Sequence, residues 1–418
     1  MTLLVISPEY TSHYAPMAVL ARAAARDRRR VVVATGPALR SLVESDGFEW
    51  RELRLGASSN SGIASIDPAL ERFVAATRMG AIETIRYQAL QREHDLLWNP
   101  EQVARSICEL TSDVEPDVTL VDHVSFASTL GMYASGRPFV TLVPGHPSQL
   151  PLGRERYGIP ARWPACLQPD PGKLAELELL ADRVTSAFTA RWNAALARVA
   201  PGSSPVDDAF RVHGHRVLYN SMAQHHQADR VLPGDYRFVG PLVREEALPD
   251  NLATWRDEAK RPSVYVAFGT FLSHRGDVLA RVAEALRLAK VRGAMAVGTT
   301  PVSTLGPTPE DWVIAPQLPQ VAMLSSADLA IHHGGNNSVQ ECLSAGTRQI
   351  MLPFSTDQFA NAADLEQVGA ARVLSPNDAS AGEIADAIVR HLGAPPARGA
   401  PPTHESVIEA LFAPAARS

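Results

Sequence analysis

The stretch from His332 to Asn361 holds residues whose types and spacing suit the binding of an anion. An apolar run ends at His332, two glycines follow, and a helical pattern begins near Asn336. Glycines let the backbone approach a ligand closely, and the first turn of a helix leaves N–H groups free at the positive end of its dipole. His333 can donate a further hydrogen bond. The pattern predicts a cradle for a diphosphate, without the lysine that P-loops use.

Three further segments of the second half each follow an apolar run: Phe268–Thr270, Gln317–Gln320 and Pro353–Asn361. They should therefore lie at the same edge of the sheet as this cradle. Glu341, about one turn into the cradle helix, can accept hydrogen bonds from ribose hydroxyls. Asp357 and Gln358 can bind sugar hydroxyls beside the phosphates. Each fragment alone could be a turn or a helix cap, but their common placement favours one binding site. The candidate residues on this donor side are Thr270, Gln317, His333, Gly335, Asn337, Ser338, Glu341, Asp357 and Gln358.

His13 is the candidate general base, in a loop predicted to follow the first strand. The near-neutral pKa of an imidazole suits the removal of a proton from an attacking group. Asp122 stands at the end of a later strand, where its carboxylate can fix the tautomer of His13 and stabilise the imidazolium. A solvated loop histidine is the competing interpretation. His123 is a weaker candidate, because side chains alternate along a strand and it would point elsewhere.

The elements that must position these residues alternate between strand and helix in each half of the chain. Short β-branched runs and longer Ala- and Leu-rich stretches are typical of βαβ units around a parallel sheet. The predicted class is therefore α/β, with two Rossmann-like, doubly wound domains over residues 1–238 and 239–392 that face each other across a cleft, and a tail over 393–418. The predicted strands are Leu3–Ser7, Val31–Thr35, Val118–Asp122, Phe139–Val143, Val264–Phe268, Ala294–Val297, Leu329–His332 and Gln349–Leu352. The predicted helices include Met17–Arg26, Arg275–Ala289 and Lys173–Val199.

Composition narrows the classes of partner. The chain has 418 residues, too many for one ordinary core, and a net charge of −6, which disfavours nucleic acid or an anionic membrane as partner. No run approaches the roughly 18 apolar residues of a membrane span, and the start lacks a signal-peptide pattern. We therefore expect a cytoplasmic protein, as monomer or homodimer. The three cysteines are far apart and no Asp-x-Asp pair occurs, so we expect no disulfide framework, no metal and no bound cofactor.

Two lines of the second half resemble a known signature: PQVAMLSSADLAIHHGGNNSVQECLSAG, which starts at Pro319, and PFSTDQFAN, which starts at Pro353. They are similar to the donor-binding signature of family 1 glycosyltransferases, which include bacterial antibiotic and macrolide enzymes and plant secondary-metabolite enzymes. The resemblance extends over most of the chain. It implies the GT-B fold, often with a final helix that crosses back to the first domain, and Thr403–Phe412 could be that helix.

The resemblance also implies roles for single residues. His333 would contact the donor phosphates with support from Asn337 and Ser338, Glu341 would bind ribose, and Asp357 with Gln358 would hold the sugar. The segment SHYAP, which contains His13, is similar to the family's Gly-His-x-x-Pro element, and Asp122 stands where the family has its partner aspartate. One departure is Gln317, at the position where the family usually stacks an aromatic ring on the nucleobase. UDP and dTDP sugars therefore both remain open, and Trp312, five positions away, is expected to pack in the core.

The expected function is transfer of a sugar from a nucleoside-diphosphate sugar to a small natural-product acceptor, with inversion and without a metal. The acceptor pocket should come from loops of the first half, within Pro144–Trp163 and Pro68–Thr111. A nucleotide-sugar epimerase of the same fold and a non-catalytic auxiliary protein are the alternatives. The weaker candidates for acceptor contacts are Tyr10, Tyr14, His146 and Trp163.

Overall fold

The computed structural model describes residues 1–56, 68–225, 230–258 and 260–414 of the chain, without the side chains of residues 93–95, 270 and 356. In this part of the chain, no helix is both long and apolar enough to cross a membrane.

The first half forms a seven-stranded parallel sheet with the strand order β3-β2-β1-β4-β5-β6-β7. Its strands are rich in Val, Leu and Ile, as expected for a sheet covered by helices on both faces. The strands are β1 Thr2–Ile6, β2 Arg30–Thr35, β3 Glu49–Glu52, β4 Val118–Asp122, β5 Val140–Val143, β6 Arg216–Tyr219 and β7 Tyr236–Phe238. The helices are α1 Thr11–Arg26, α2 Arg40–Ser45, α3 Pro68–Met79, α4 Ala81–Asp95, α5 Pro100–Val114, α6 Phe126–Ser135 and α7 Pro171–Val199.

The second half repeats this plan with a six-stranded parallel sheet in the order β10-β9-β8-β11-β12-β13. Its strands are β8 Ser263–Ala267, β9 Arg292–Ala296, β10 Val313–Ala315, β11 Leu329–His332, β12 Arg348–Met351 and β13 Arg372–Val373. Its helices are α8 Asp250–Asp257, α9 Gly269–Leu272, α10 Gly276–Leu288, α11 Gln320–Leu324, α12 Asn336–Ala345, α13 Thr356–Gln367 and α14 Ala381–Leu392. The expected α/β class with two Rossmann-like sheets is confirmed.

The last helix, α15 His404–Phe412, packs against α1 in the first half of the chain. Val407, Ala410 and Leu411 are buried in the core that also contains the strands of the first sheet. Arg216 of β6 is almost fully buried, and its guanidinium donates to the carbonyl groups of Ala410, Ala413 and Pro414. Since these carbonyls lie at the C-terminal end of α15, the cation also complements the negative end of the helix dipole.

Helix α1 begins at Thr11, six residues before the predicted start, so His13 lies in a helix and not in a loop. The prediction was wrong because Pro16 was placed outside the helix, since a proline lacks the N–H that the helix ladder needs. In an α-helix that N–H would bond to the carbonyl of Ser12, four residues earlier. The Ser12 carbonyl instead accepts a hydrogen bond from the Asn337 side chain of α12 at 2.8 Å. This contact compensates the carbonyl that Pro16 leaves without a helical partner.

Candidate active site

The imidazole of His13 is hydrogen bonded to a carboxylate in the first half of the chain. Strands β1 and β4 are neighbours in the sheet, so the first turn of α1 lies beside the end of β4. His13 Nδ1 lies 2.8 Å from Asp122 Oδ2, with the His13 side chain 25% exposed and Asp122 fully buried. The backbone N–H of Val124 donates to the other oxygen of Asp122 at 3.0 Å. The carboxylate is therefore held on both oxygens, and the Nε2 atom of His13 remains for another partner.

The charges around His13 favour its protonated form. Burial lowers the pKa of His13, but the charge and hydrogen bond of Asp122 and the charge of Asp357 raise it, so that the net pKa lies above the ordinary value of 6.5. A carboxylate that accepts from an imidazole also fixes which nitrogen carries the proton in the neutral form. The pair can therefore take up a proton at Nε2 and stabilise the resulting cation.

Two neighbours of this pair have structural roles. His123 is buried against Phe126, and burial lowers its pKa to about 4. Tyr14 is fully buried, and its hydroxyl donates to Asp46 at 2.7 Å. The expectation that Tyr14 contacts an acceptor is therefore corrected, because its turn of helix α1 faces the core. Tyr10 lies at the start of α1, with its ring 5.9 Å from that of His13.

The segment predicted to be an anion cradle lies where β11 passes into α12. The ring of His333 lies between two glycines: a Cβ on Gly335 would collide with its Nε2, and a Cβ on Gly269 would come within 3.1 Å of its Cε1. Burial lowers the pKa of His333 to about 4, so its imidazole is neutral near pH 7 and can donate only one hydrogen bond. The α12 helix has no side-chain N-cap, which leaves its first N–H groups open to a ligand.

The first turn of α12 also holds the two halves of the molecule together. The side-chain amide of Asn336 is buried and donates to the carbonyls of Pro144 and Asn220, both at 2.7 Å. Asn337 donates to the carbonyl of Ser12, next to His13. The cradle is thus tied directly to the turn that carries the candidate base, a contact that the sequence did not predict.

Gln320 connects two of the predicted donor residues and was missed as a site residue. Its Nε2 donates to Ser338 Oγ at 3.1 Å and to Glu341 Oε2 at 2.5 Å. Burial raises the pKa of Glu341 to about 7. The signal that could have identified Gln320 is its place directly after Pro319, at the start of α11 and within reach of the cradle helix.

A cavity of about 240 Å³ lies beside these residues, between the ends of β8 and β9. Gln317 lines it together with Tyr265, Ser273, Gly298 and Pro316. Trp312 packs in the core of the second sheet, as predicted. The side chain of Thr270, also predicted here, lies outside the described residues.

Asp357 and Gln358 begin helix α13 after β12. The side-chain oxygen Oε1 of Gln358 accepts from the backbone N–H groups of Phe354 and Ser355 at 3.0 and 3.2 Å, as part of a capping box. Its amide nitrogen is therefore the group left for a sugar. Burial raises the pKa of Asp357 to about 6, and its charge acts on His13 from the opposite half of the molecule.

A cavity of about 460 Å³ opens beside Asp357, and we call it the acceptor cavity. It is lined by α3, α4 and the loop that follows β5, which are the predicted acceptor regions, and by Phe271 and Asp357 of the second half. His146 does not line it, because the imidazole is buried between Ser148 and Asp364 at 2.7 and 3.0 Å. Trp163 packs on Phe359 with ring centroids 5.4 Å apart and lines a neighbouring cavity. The expectation that His146 meets an acceptor is therefore corrected, while Trp163 borders a different space.

Comparisons with known proteins agree with this architecture. Residues 294–409 match the family described as the C-terminal domain of erythromycin biosynthesis protein CIII-like proteins. The NDP-glycosyltransferase YjiC of Bacillus licheniformis is 30% identical over 38% of this chain and 41% of its own length. The demethyllactenocin mycarosyltransferase of Streptomyces fradiae is 26% identical over 72% of this chain and 65% of its own length. The match thus spans less than two thirds of each of these two relatives.

The fold of most of the chain is shared with solved glycosyltransferase structures. The crystal structure of the glycotransferase of kitacinnamycin superposes with a TM-score of 0.67 and 18% identity, over 94% of this chain and 90% of that one. The GT-B fold is therefore confirmed. The resemblance to family 1 glycosyltransferases of the bacterial natural-product branch is also confirmed.

Proposed function

We propose that this protein is an inverting glycosyltransferase that moves a sugar from a UDP or dTDP sugar to a hydroxyl group of a small natural product. The observation that carries the proposal is the placement of the His13–Asp122 pair. Asp357, which lines the acceptor cavity, raises the pKa of His13 through its charge, and the helical turn of His13 is bonded to the predicted diphosphate cradle through Asn337. These contacts support a candidate base that would act between a candidate acceptor space and a candidate anion site.

The reaction would proceed by a single displacement. The acceptor hydroxyl donates its hydrogen bond to Nε2 of His13, because Nδ1 faces Asp122. As the acceptor oxygen attacks the anomeric carbon, its proton passes to Nε2, and the bond from that carbon to the diphosphate oxygen breaks. Asp122 stabilises the imidazolium that forms. Attack opposite the leaving group inverts the anomeric configuration.

The second half would stabilise the departing diphosphate. The open N–H groups at the start of α12 and the positive end of its dipole face the developing negative charge. The neutral imidazole of His333 has one N–H, which would donate to a phosphate oxygen in place of the backbone of Ala267. We propose that these groups suffice without a metal ion.

The remaining donor contacts follow from the same geometry. Glu341, held by Gln320, would bind the ribose hydroxyls beside the cavity lined by Gln317. Asp357 and the amide nitrogen of Gln358 would bind the sugar. The names of the relatives, among them demethyllactenocin mycarosyltransferase, support a natural product as the acceptor.

The test is an assay of nucleoside diphosphate release with UDP-glucose and dTDP-glucose, with and without a panel of hydroxylated aglycones. We expect release that depends on the aglycone, and a product whose anomeric proton coupling shows the configuration opposite to that of the donor. Release or sugar isomerisation at the same rate without any aglycone would favour an epimerase. Donor binding without release or isomerisation across the panel would favour an auxiliary protein.

A further inference from the structure

Arg92 of α4 is a cation set into the wall of the acceptor cavity. Its Nη1 donates to the carbonyl of Tyr157 at 3.0 Å, and its guanidinium carbon lies 5.0 Å from the centre of the Tyr157 ring. The neighbouring residue, Gly158, has φ +76°, and a Cβ there would collide with the guanidinium. The loop that follows β5 is therefore fitted closely around one side of Arg92.

No carboxylate of the described residues pairs with Arg92. Burial lowers its pKa, and Tyr157 is the group whose charge opposes that effect. Arg156, in contrast, forms ion pairs with Glu178 and Asp182, and its pKa is raised. Removing a cation from water without an anionic partner is costly, so a partly buried guanidinium with no carboxylate partner among the described side chains calls for an explanation.

The walls of the acceptor cavity differ in polarity. Its charged side chains among the described residues are Arg92 and Asp357, and Gln88 and Gln91 of α4 extend the polar side around Arg92. The other walls are mostly apolar and aromatic, with Leu70, Phe73, Leu96, Ile159, Pro160 and Phe271. A bound molecule would therefore meet an apolar surface over most of its body and opposite charges at two separate points.

We infer that the acceptor carries a carboxylate, bound by Arg92, on an apolar ring-containing body whose hydroxyl group faces His13 and Asp357. The planar fork of a guanidinium matches a carboxylate with two parallel hydrogen bonds. The reverse orientation would place the carboxylate against Asp357, which repels it. This orientation of the acceptor rests on the proposed function, in which the hydroxyl that reacts lies on the Asp357 side of the cavity.

The test compares two probes with the same ring body and hydroxyl group: 6-hydroxy-2-naphthoic acid, which is charged, and its methyl ester, which is neutral and larger by one methyl group. Their binding to the full chain is measured by calorimetry without a donor. We expect the acid to bind about tenfold more tightly than the ester, the size of one charge-assisted hydrogen bond. Arg92→Gln should abolish that preference and leave the ester within about twofold, and Arg92→Lys should keep part of it.

Arg86→Gln is the matched control. It removes a cation from the same helix, but Arg86 pairs with Glu83 and Glu176 and does not line the cavity. Equal binding of acid and ester to the unaltered protein, or binding of neither probe, would overturn the inference without any need for a variant. So would an equal loss of acid binding in Arg92→Gln and Arg86→Gln.

A second arm separates this inference from the proposed function. The same probes are offered with UDP-glucose and dTDP-glucose, and glycoside formation is followed. Selective, Arg92-dependent binding of the acid without transfer to any acceptor would leave the carboxylate site intact and contradict the transferase. Transfer to neutral aglycones without preference for the acid would support the transferase and contradict the carboxylate site.

Discussion

Strands β4 and β11 hold the same place in their sheets, since each lies beside the first strand of its half, β1 or β8. Each ends at a polar residue that a histidine follows: Asp122 with His123 in the first half, and His332 with His333 in the second. In the first half the carboxylate at the strand end meets His13 from the neighbouring connection. In the second half the neighbouring connection begins with Gly269. Because this glycine has no side chain, the ring of His333 can lie against it.

The difference shows how one strand arrangement supports two kinds of chemistry. A carboxylate beside His13 raises its pKa and prepares it to take up a proton. Burial among glycine backbone lowers the pKa of His333 to about 4 and keeps it as a neutral donor. In the proposed function, the first half would therefore move a proton and the second half would hold an anion.

Removing the imidazole of the first half should have the largest effect. His13→Ala should lower kcat by about 10²–10⁴-fold, the usual contribution of a positioned general base, while dTDP or UDP binding in a thermal shift assay persists. His404→Ala is the matched control, because His404 also pairs with an aspartate, Asp27, but on an exposed surface. Near-normal turnover of His13→Ala would show that the comparison assigns the base wrongly.

Removing only the carboxylate should have a smaller effect. Asp122→Asn should lower kcat by at most the roughly 10²–10⁴-fold expected for loss of the base, because the imidazole of His13 remains but its tautomer is no longer fixed. The neutral form of His13 is the active one and Asp122 favours the protonated form, so its loss lowers the pKa. The acid limb of the kcat/KM profile should therefore move to lower pH. A limb that stays in place, or that moves to higher pH, would contradict the electrostatic role of Asp122.

The equivalent change in the second half should affect donor binding. His333→Gln should weaken nucleoside diphosphate binding about tenfold, as expected for one hydrogen bond to a charged group. Because His333 is already neutral, the acid limb of the pH profile should remain where it is. Calorimetry with UDP and dTDP measures the first effect. A shift of the acid limb in this variant would mean that the two histidines do not have separate roles.

Chelation should have the smallest effect. If the α12 terminus and His333 stabilise the leaving group without a metal, an excess of EDTA should change kcat by less than about twofold. The assay is the same release of nucleoside diphosphate, repeated with added Mg²⁺ and Mn²⁺. Loss of activity on chelation and recovery with a metal would show that the second half does not hold the anion alone.

The fold was accessible from the sequence because the strand pattern is local. Val118–Asp122 and Leu329–His332 are strands with the predicted bounds, and the other predicted strands differ by a residue or so at their ends. Buried parallel strands have continuous β-branched runs that need no knowledge of their neighbours. The first turn of α1 was missed because its compensation for Pro16 comes from Asn337, in the other half of the chain.

The residues of the candidate site also differ in whether the sequence near them was enough to predict their roles. The pairing of His13 with Asp122 could be predicted, since both stand at connections on the same edge of the sheet. The burial of Tyr14 and His146 could not, because it depends on Asp46 and Asp364, which lie far away in the sequence. Arg92 gave no signal either, as an arginine on an amphipathic helix is usually solvated. Its partial burial depends on the loop around Tyr157, whose carbonyl accepts a hydrogen bond from the Arg92 guanidinium.

The packing of α15 on α1 has a consequence for synthesis on the ribosome. The core of the first half includes Val407, Ala410 and Leu411, so one face of that core stays open after β7 has been made. At usual elongation rates the intervening chain takes roughly ten to thirty seconds to appear. During this interval the apolar surface of α1 is exposed, which is the situation that favours chaperone binding or aggregation. The core of the first half is therefore complete only after α15 has left the ribosome.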